Sequence, residues 1–441
     1  MRDKAQRVEL APRILLLVCD WSGGQPRIVT TNLYHLYLLF ILFLFSEVSG
    51  WMRYGKSMAN TLTLRELVRT LDALYPPHLA EPWDKGIGLS VGDYDQEIVR
   101  AYFCLDPVSQ TIAEAISWGA DIVITHHPLL FSPVHRVNTN TPSGRIVHNL
   151  IKNNCAHYSA HTNADSAHYG VNDALAKLFS LQDTKPLIPA EQVLEKIVVF
   201  IPESHSEQLT TALADAGCGN LGNYERCAWQ TTGEGTFQAK KGAEPYLGNV
   251  GEITRVTEKR IEMIYPAQLR SRAINVLKEN HPYEEPAFDI LVLAPLPSEV
   301  GLGRIGNLAK EMKLGDFAKI VARQLPQTVG GITISGDLDR IISKVAVLGG
   351  SGQELIGVAN NAGADVFITS DLKHHGVLDQ LELGGTGNKT ASLINAPHFA
   401  TESPWLALAA RKIQESLKQQ GFEVETKVST INTDPWQAHY N

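Results

Sequence analysis

One seven-residue phrase occurs twice, and it restricts the fold more than any other feature of the chain. Gly119-Ala-Asp-Ile-Val-Ile-Thr125 and Gly363-Ala-Asp-Val-Phe-Ile-Thr369 agree at five of seven positions, with conservative exchanges at the other two. In both copies a helical pattern (108–118 and 353–361) leads into the glycine, and a strand-like run (98–105 and 345–348) precedes that helix. Glycine after a helix is the usual left-handed stop. A short run of apolar, mostly β-branched residues reads as a strand buried on both faces. Strand, helix, strand is a βαβ unit. The expected fold class is therefore α/β, with two related α/β halves produced by internal duplication.

Between the halves the pattern changes. Residues 196–201 read as a strand, 203–216 as a helix, 224–237 as a hairpin with a Gly-Glu-Gly turn, 259–265 as a strand, 268–280 as a helix and 287–293 as a strand. That order is the ferredoxin-like α+β unit, bounded by Pro186 and Pro189 on one side and Pro295 and Pro297 on the other. The expected organisation is a first half over 58–190, an inserted ferredoxin-like domain over 191–297 and a second half over 298–441.

Residues 1–57 do not match the rest. The apolar run 36–45 is shorter than the roughly 20 residues a membrane helix needs. Basic residues precede it, as in a long signal sequence, but the SEVSGW that follows is a poor cleavage site. Met58 stands directly before a clean helix start, where Thr63 and Glu66 have capping-box spacing. The expectation is an N-terminal extension outside the fold, and no membrane association for the fold itself.

The first copy of the phrase runs into His126-His127-Pro128. Pro128 has no N–H to pair with, so two imidazoles are left at the C-terminal end of a strand, where open α/β sheets bind ligands. Neutral imidazole is the commonest metal-ligating side chain. Two histidines alone are ordinary loop material, but others accompany them. A second strand, 156–160, ends in His161-Thr-Asn-Ala-Asp165, and a late helix opens with His398 and Glu402 at i and i+4, on one face. His126, His127, Asp165, His398 and Glu402 form a donor set suited to two divalent ions of the Zn, Fe, Mn or Co kind. His281 and Glu285 share the HxxxE spacing, but Pro282 interrupts any helix there, and the pair reads as structural. His161, His374 and His375 either orient ligands and carry protons or are simply polar loop positions; Asp106, after the first strand, is a further rim residue or else a strand-end cap. Gly349–Gly352 reads first as a strand-to-helix turn, and otherwise as a phosphate cradle.

The formal charge of −8 argues against general nucleic-acid binding. The five cysteines are scattered without any CxxC, which points to a reducing, cytoplasmic setting with neither a disulfide framework nor a thiolate zinc site.

Taken together, ITHHP, HTNAD, the Gly-Ser-Gly turn after a strand, TSDLKHH and HFATE resemble the family of dinuclear-metal-centre proteins known as GTP cyclohydrolase I type 2 homologues. The resemblance covers about residues 58–441. It implies that the five residues above ligate two metals, that the chain assembles as a homohexamer, and that the insert is similar to copper-tolerance and PII-type modules, with 281–286 matching. It also implies hydrolysis of a nucleotide or other small molecule by metal-activated water. No catalytic side chain is assigned. The alternatives are a non-catalytic metal-binding, metal-delivery or regulatory protein, and an interaction protein that uses its metals only to join two halves.

Overall fold

The described chain opens with the capped helix Leu64–Leu74. Glu66 N–H donates to Thr63 Oγ1 (3.3 Å), and Thr63 N–H donates to Glu66 Oε2 (2.8 Å). The computed structural model describes residues 61–387 and 389–440. The stretch 1–57, read above as an extension, lies outside the described residues. Among the described residues no helix is long and apolar enough to cross a membrane.

The described strands form three sheets. The first runs in the order Gly88–Val91, Ala156–Ser159, Ile122–Thr125, Arg100–Cys104, Glu425–Val428; the last four are parallel and the first is an antiparallel edge. The second runs Thr333–Ser335, Ser392–Asn395, Val366–Ser370, Ile341–Ser351, Leu296–Lys313, Gln182–Gln192, with a parallel centre and antiparallel flanks. The third is antiparallel throughout, in the order Trp229–Gln238, Ile253–Pro266, Leu194–Pro202, Phe288–Val292.

The repeated phrase has a physical job in both of the first two sheets. Gly119 (φ 78°) and Gly363 (φ 75°) close their helices in the left-handed region, which costs an L-residue with a Cβ but not glycine. The aspartate two residues later then clamps the neighbouring strand. Asp121 Oδ2 accepts from the N–H groups of Val99 and Arg100 (both 2.8 Å), and Asp365 Oδ2 from those of Ser343 (3.0 Å) and Lys344 (2.9 Å). The apolar triplets that follow are fully buried.

Helices cover both faces of these sheets, which is why their central strands are continuously apolar. Leu64–Leu74 and Pro404–Gln419 pack on one face of the first sheet, and Ser109–Trp118 and Pro142–Lys152 on the other. Val171–Leu178 and Leu314–Gln324 cover one face of the second, and Ile356–Asn361 the other. The sheets also exchange segments. Gln182–Gln192 crosses to the edge of the second sheet, whereas Pro404–Gln419 and Glu425–Val428 return to the first. Buried Arg304, from the second sheet, ties the two together: it bonds Asp173 Oδ1 (2.5 Å), Ala167 O (3.1 Å) and its own strand at Gly301 O and Gly303 O.

Two local expectations need correction. The hairpin does not turn at Gly-Glu-Gly; Trp229–Gln238 runs straight through it, paired to Ile253–Pro266 at Gly233↔Glu258 and Gly235↔Val256, and the turn lies beyond Gln238. Glycine serves there to leave room above the sheet, since a Cβ on Gly235 would overlap the Glu258 carboxylate. Pro186 and Pro189 lie within a strand, not between elements. Gln182–Gln192 is a sheet edge, the position where proline's missing N–H is tolerated.

Candidate metal centre

The five histidine and carboxylate positions singled out in the sequence come together at the carboxyl ends of parallel strands from both sheets. Thr125 Oγ1 donates to His127 O (2.6 Å) and turns the chain as it leaves Ile122–Thr125. Asp165 lies on the short helix Thr162–Ser166 that follows Ala156–Ser159. His398 and Glu402 are the first and last residues of the helix His398–Glu402 after Ser392–Asn395, so the helix does begin in time to place both on one face. Glu402 sits at the middle. Its Oε1 is 3.5 Å from His126 Nε2 and 3.0 Å from His398 Nε2, and its Oε2 is 3.1 Å from His127 Nε2. Asp165 Oδ1 is 3.8 Å from His126 Nε2.

Each ring is held from behind. His126 Nδ1 is 2.9 Å from Ala160 O, and its ring packs edge-on against buried Trp405. A carbonyl only accepts, so Nδ1 carries a hydrogen and Nε2 is the nitrogen turned towards the carboxylates. His127 Nδ1 bonds Asp106 Oδ1 (2.6 Å), and His398 Nδ1 bonds Asp371 Oδ2 (2.7 Å). Carboxylates behind imidazoles in this way fix the tautomer and raise the basicity of the inward nitrogen. His126 Nε2, Asp165 Oδ1 and Glu402 Oε2 are buried and lack a hydrogen bond of normal geometry.

Electrostatics show what the cluster attracts. Burial, reinforced by the Glu402 carboxylate, pushes the Asp165 carboxyl up to about 8. Burial alone would lower His127 and His398. The carboxylates of Glu402 and Asp106 overcome it and raise His127 to about 10, and those of Glu402 and Asp371 raise His398 to about 9. Burial would also raise Glu402, but the imidazoles of His126 and His127 hold it well below the usual range. The buried carboxylates thus draw protons onto the groups around them; a divalent ion would answer the same demand for positive charge, and the ligand set is the right kind for borderline metals. Among the described residues, two groups have ligand atoms close enough to share an ion: His127, His398 and Glu402, and His126, His127 and His161.

His161, placed on the rim by sequence, is thus part of the cluster. Its Nδ1 bonds Asp84 Oδ2 (2.9 Å); burial raises Asp84, but the bonds from His161 and Thr162 outweigh it and hold the carboxylate at about 2. Asp106 is the carboxylate behind His127. His374 and His375 face one another at the start of the helix His374–Gly385 and join neither group. Asp84 and Asp371 were not foreseen as partners of the rings. The amides of Gly349 and Gly350 are spent on Asn172 Oδ1 (2.9 Å) and Thr401 Oγ1 (3.0 Å), so this loop is a turn bracing the Glu402 helix. His281 bonds Phe200 O (2.9 Å), in keeping with a structural role. A cavity of about 590 Å³ opens beside His127 and His398, with Asp106, Asp371, Asp434 and Trp436 among its walls.

The family model described as Duf34/NIF3 (NGG1p interacting factor 3) matches residues 62–435. A Mycobacterium leprae protein named GTP cyclohydrolase 1 type 2 homolog is 39% identical over 375 residues, covering 85% of this chain and 94% of its own. A Bacillus subtilis protein of the same name is 36% identical over 380 residues, covering 86% and 99%. The solved structure of a Bacillus cereus protein related to NIF3 superposes with a TM-score of 0.75 at 37% identity, covering 86% of this chain and 99% of that one.

Proposed function

This chain belongs to the Duf34/NIF3 family, and from that premise we propose that it is a dinuclear metal-dependent hydrolase of the kind its relatives' name denotes, acting on a nucleotide or similar small molecule. His126, His127, Asp165, His398 and Glu402 would hold two ions from the group Zn, Fe, Mn and Co. The observation that carries this is the buried meeting of His126 Nε2, Asp165 Oδ1 and Glu402 Oε2, whose hydrogen-bonding capacity the protein leaves unmet. The two oxygens of Glu402 face different imidazoles, which suits a shared ligand.

When bound, such ions would lower the pKa of a water towards neutrality and so supply a nucleophile for hydrolysis at an electrophilic carbon or phosphorus. The protein's own groups do the rest. Asp106 and Asp371 hold His127 and His398 in place. Asp84 holds His161 by its Nδ1 beside His126 and His127, where the imidazole would serve as a proton carrier. The adjoining cavity of about 590 Å³ lies in the size range of small-molecule sites. That opening favours turnover over a closed centre that only joins two halves, or over simple metal storage.

The same premise extends to architecture. Duplicated halves are supported by the matching glycine stop and aspartate clamp in both sheets. A ferredoxin-like insert over 191–297 is supported by the order of the third sheet, with helices Ser206–Asp215 and Arg270–Asn280 packed on its core. A homohexamer and a cytoplasmic setting rest on the resemblance and on cysteine usage.

Elemental analysis of gently purified protein tests the centre. About two divalent ions per chain are expected, falling sharply in Asp165→Ala and Glu402→Gln. Asp371→Asn is expected to weaken metal affinity by about 10–100-fold. Metal-loaded protein is then assayed on nucleotides: turnover that survives Asp165→Ala undiminished would overturn the hydrolase assignment even if the ions are present.

A further inference from the structure

The third sheet carries a second cavity, of about 560 Å³, lined entirely by residues between Phe200 and Ala287, none of which belongs to the metal cluster. Its floor is the straight strand Trp229–Gln238, where Gly233 and Gly235 project no side chain; nothing lies within 4 Å of where a Cβ on Gly233 would stand. Its walls are aromatic. The Tyr283 ring centroid is 6.0 Å from that of Phe237 and 6.3 Å from that of Tyr246.

These rings are fixed in place. Tyr283 packs edge-on against buried His281 (5.0 Å), and its hydroxyl donates to Glu258 Oε1 (2.9 Å). His205 meets Tyr246 at 90° (5.6 Å). The loop that carries Tyr246 is pinned where Glu244 N–H donates to Glu284 Oε2 (3.1 Å).

Charge selects the occupant. Glu258, Glu284 and Glu285 line the cavity, and its cationic side chain is Arg260; Glu234, which also borders it, is spent on Arg255 (2.6 Å). Arg260 is partly engaged: its Nε lies 3.0 Å from Glu262 Oε1, without a hydrogen bond of normal geometry, and its guanidinium rests on the Phe200 ring. A phosphate or carboxylate would meet one guanidinium, already beside Glu262, and the carboxylates of Glu258, Glu284 and Glu285. A bare metal ion would gain little from ring walls. A cation with an apolar coat fits both features, because aromatic faces attract it and nearby carboxylates add to that attraction.

We propose that this cavity binds an organic cation, an alkylated ammonium group carried on an apolar body. It stands on geometry separate from the metal centre and does not depend on the hydrolase reading.

The test is calorimetric titration of the full chain with benzyltrimethylammonium, run beside neutral benzyl alcohol and anionic benzylphosphonate. The ammonium is expected to bind saturably and at least about tenfold more tightly than either comparator, as a cation–π site requires. Tyr246→Ala, at a half-exposed ring, and Glu258→Gln, which keeps the shape and removes the charge, should each weaken it about five- to tenfold. Circular dichroism and metal content should stay unchanged in both. Equal binding of the three probes, tighter binding of the phosphonate, no binding of the ammonium, or ammonium binding that survives both substitutions would overturn the proposal.

Discussion

His157 is fully buried beside neutral hydroxyls, with Ser90 Oγ 2.6 Å from Nδ1 and Thr125 Oγ1 3.0 Å from Nε2. Burial drives its pKa down to about 3. The folded protein therefore keeps it neutral far into acid, while the unfolded chain takes up its proton near pH 6.5. Between those values the unfolded state binds more protons, so this residue's contribution to stability falls as pH drops below about 6.5 and stops falling near 3. Urea unfolding at a series of pH values should show His157→Gln with a shallower acid slope than the parent, by up to about 1.4 kcal/mol per pH unit in that window. At this scale the candidate ligands were legible because imidazoles and carboxylates stood directly after strand ends and at a helix start. Their supports were less so. Asp84 reaches His161 from 77 residues away, out of a loop with no periodic pattern. Asp371 did carry one signal, since it follows the strand Val366–Ser370 as Asp106 follows Arg100–Cys104, and both bond a clustered histidine.

Among the elements, the Gly-Ala-Asp phrase shows how a short sequence can specify a junction between helix and strand. Removing the clamp in Asp365→Ala leaves the Ser343 and Lys344 amides without their acceptor. It is expected to cost about 1–3 kcal/mol, and Gly363→Ala about 1 kcal/mol for the strained φ. Denaturant midpoints would check both, with Asp121→Ala and Gly119→Ala as the matching pair in the other sheet. Helices and central strands of these units were readable because their apolar pattern is strong. Edge strands were not. Gly88–Val91 and Gln182–Gln192 are rich in glycine or proline, residues that usually punctuate chains, and only their pairing partners make them strands. The Gly-Glu-Gly misreading has the same origin, because glycine marks space as well as turns.

For the molecule as a whole, the exchanged segments and Arg304 couple the first two sheets. Arg304 is 3% exposed and answers both Asp173 and the Ala167 carbonyl across the junction. Arg304→Met would leave Asp173, itself a quarter exposed, without its partner. The expected loss is about 3 kcal/mol in a single cooperative unfolding transition, measured by calorimetry; two separated transitions would mean that the sheets are held together by other contacts. The exchange was not legible in the sequence, since nothing in a four-residue strand names a partner so far away. Arg100 and Glu425, which share a salt bridge between neighbouring strands, are 325 residues apart. During translation, domains ordinarily fold from the N-terminus as they emerge, but here the first sheet has an open edge until the ribosome has delivered residues 425–428. The newborn chain must hold that edge from the emergence of Arg100–Cys104 until then, and a chaperone or a temporary cover there would matter more than for a protein whose halves mature in turn.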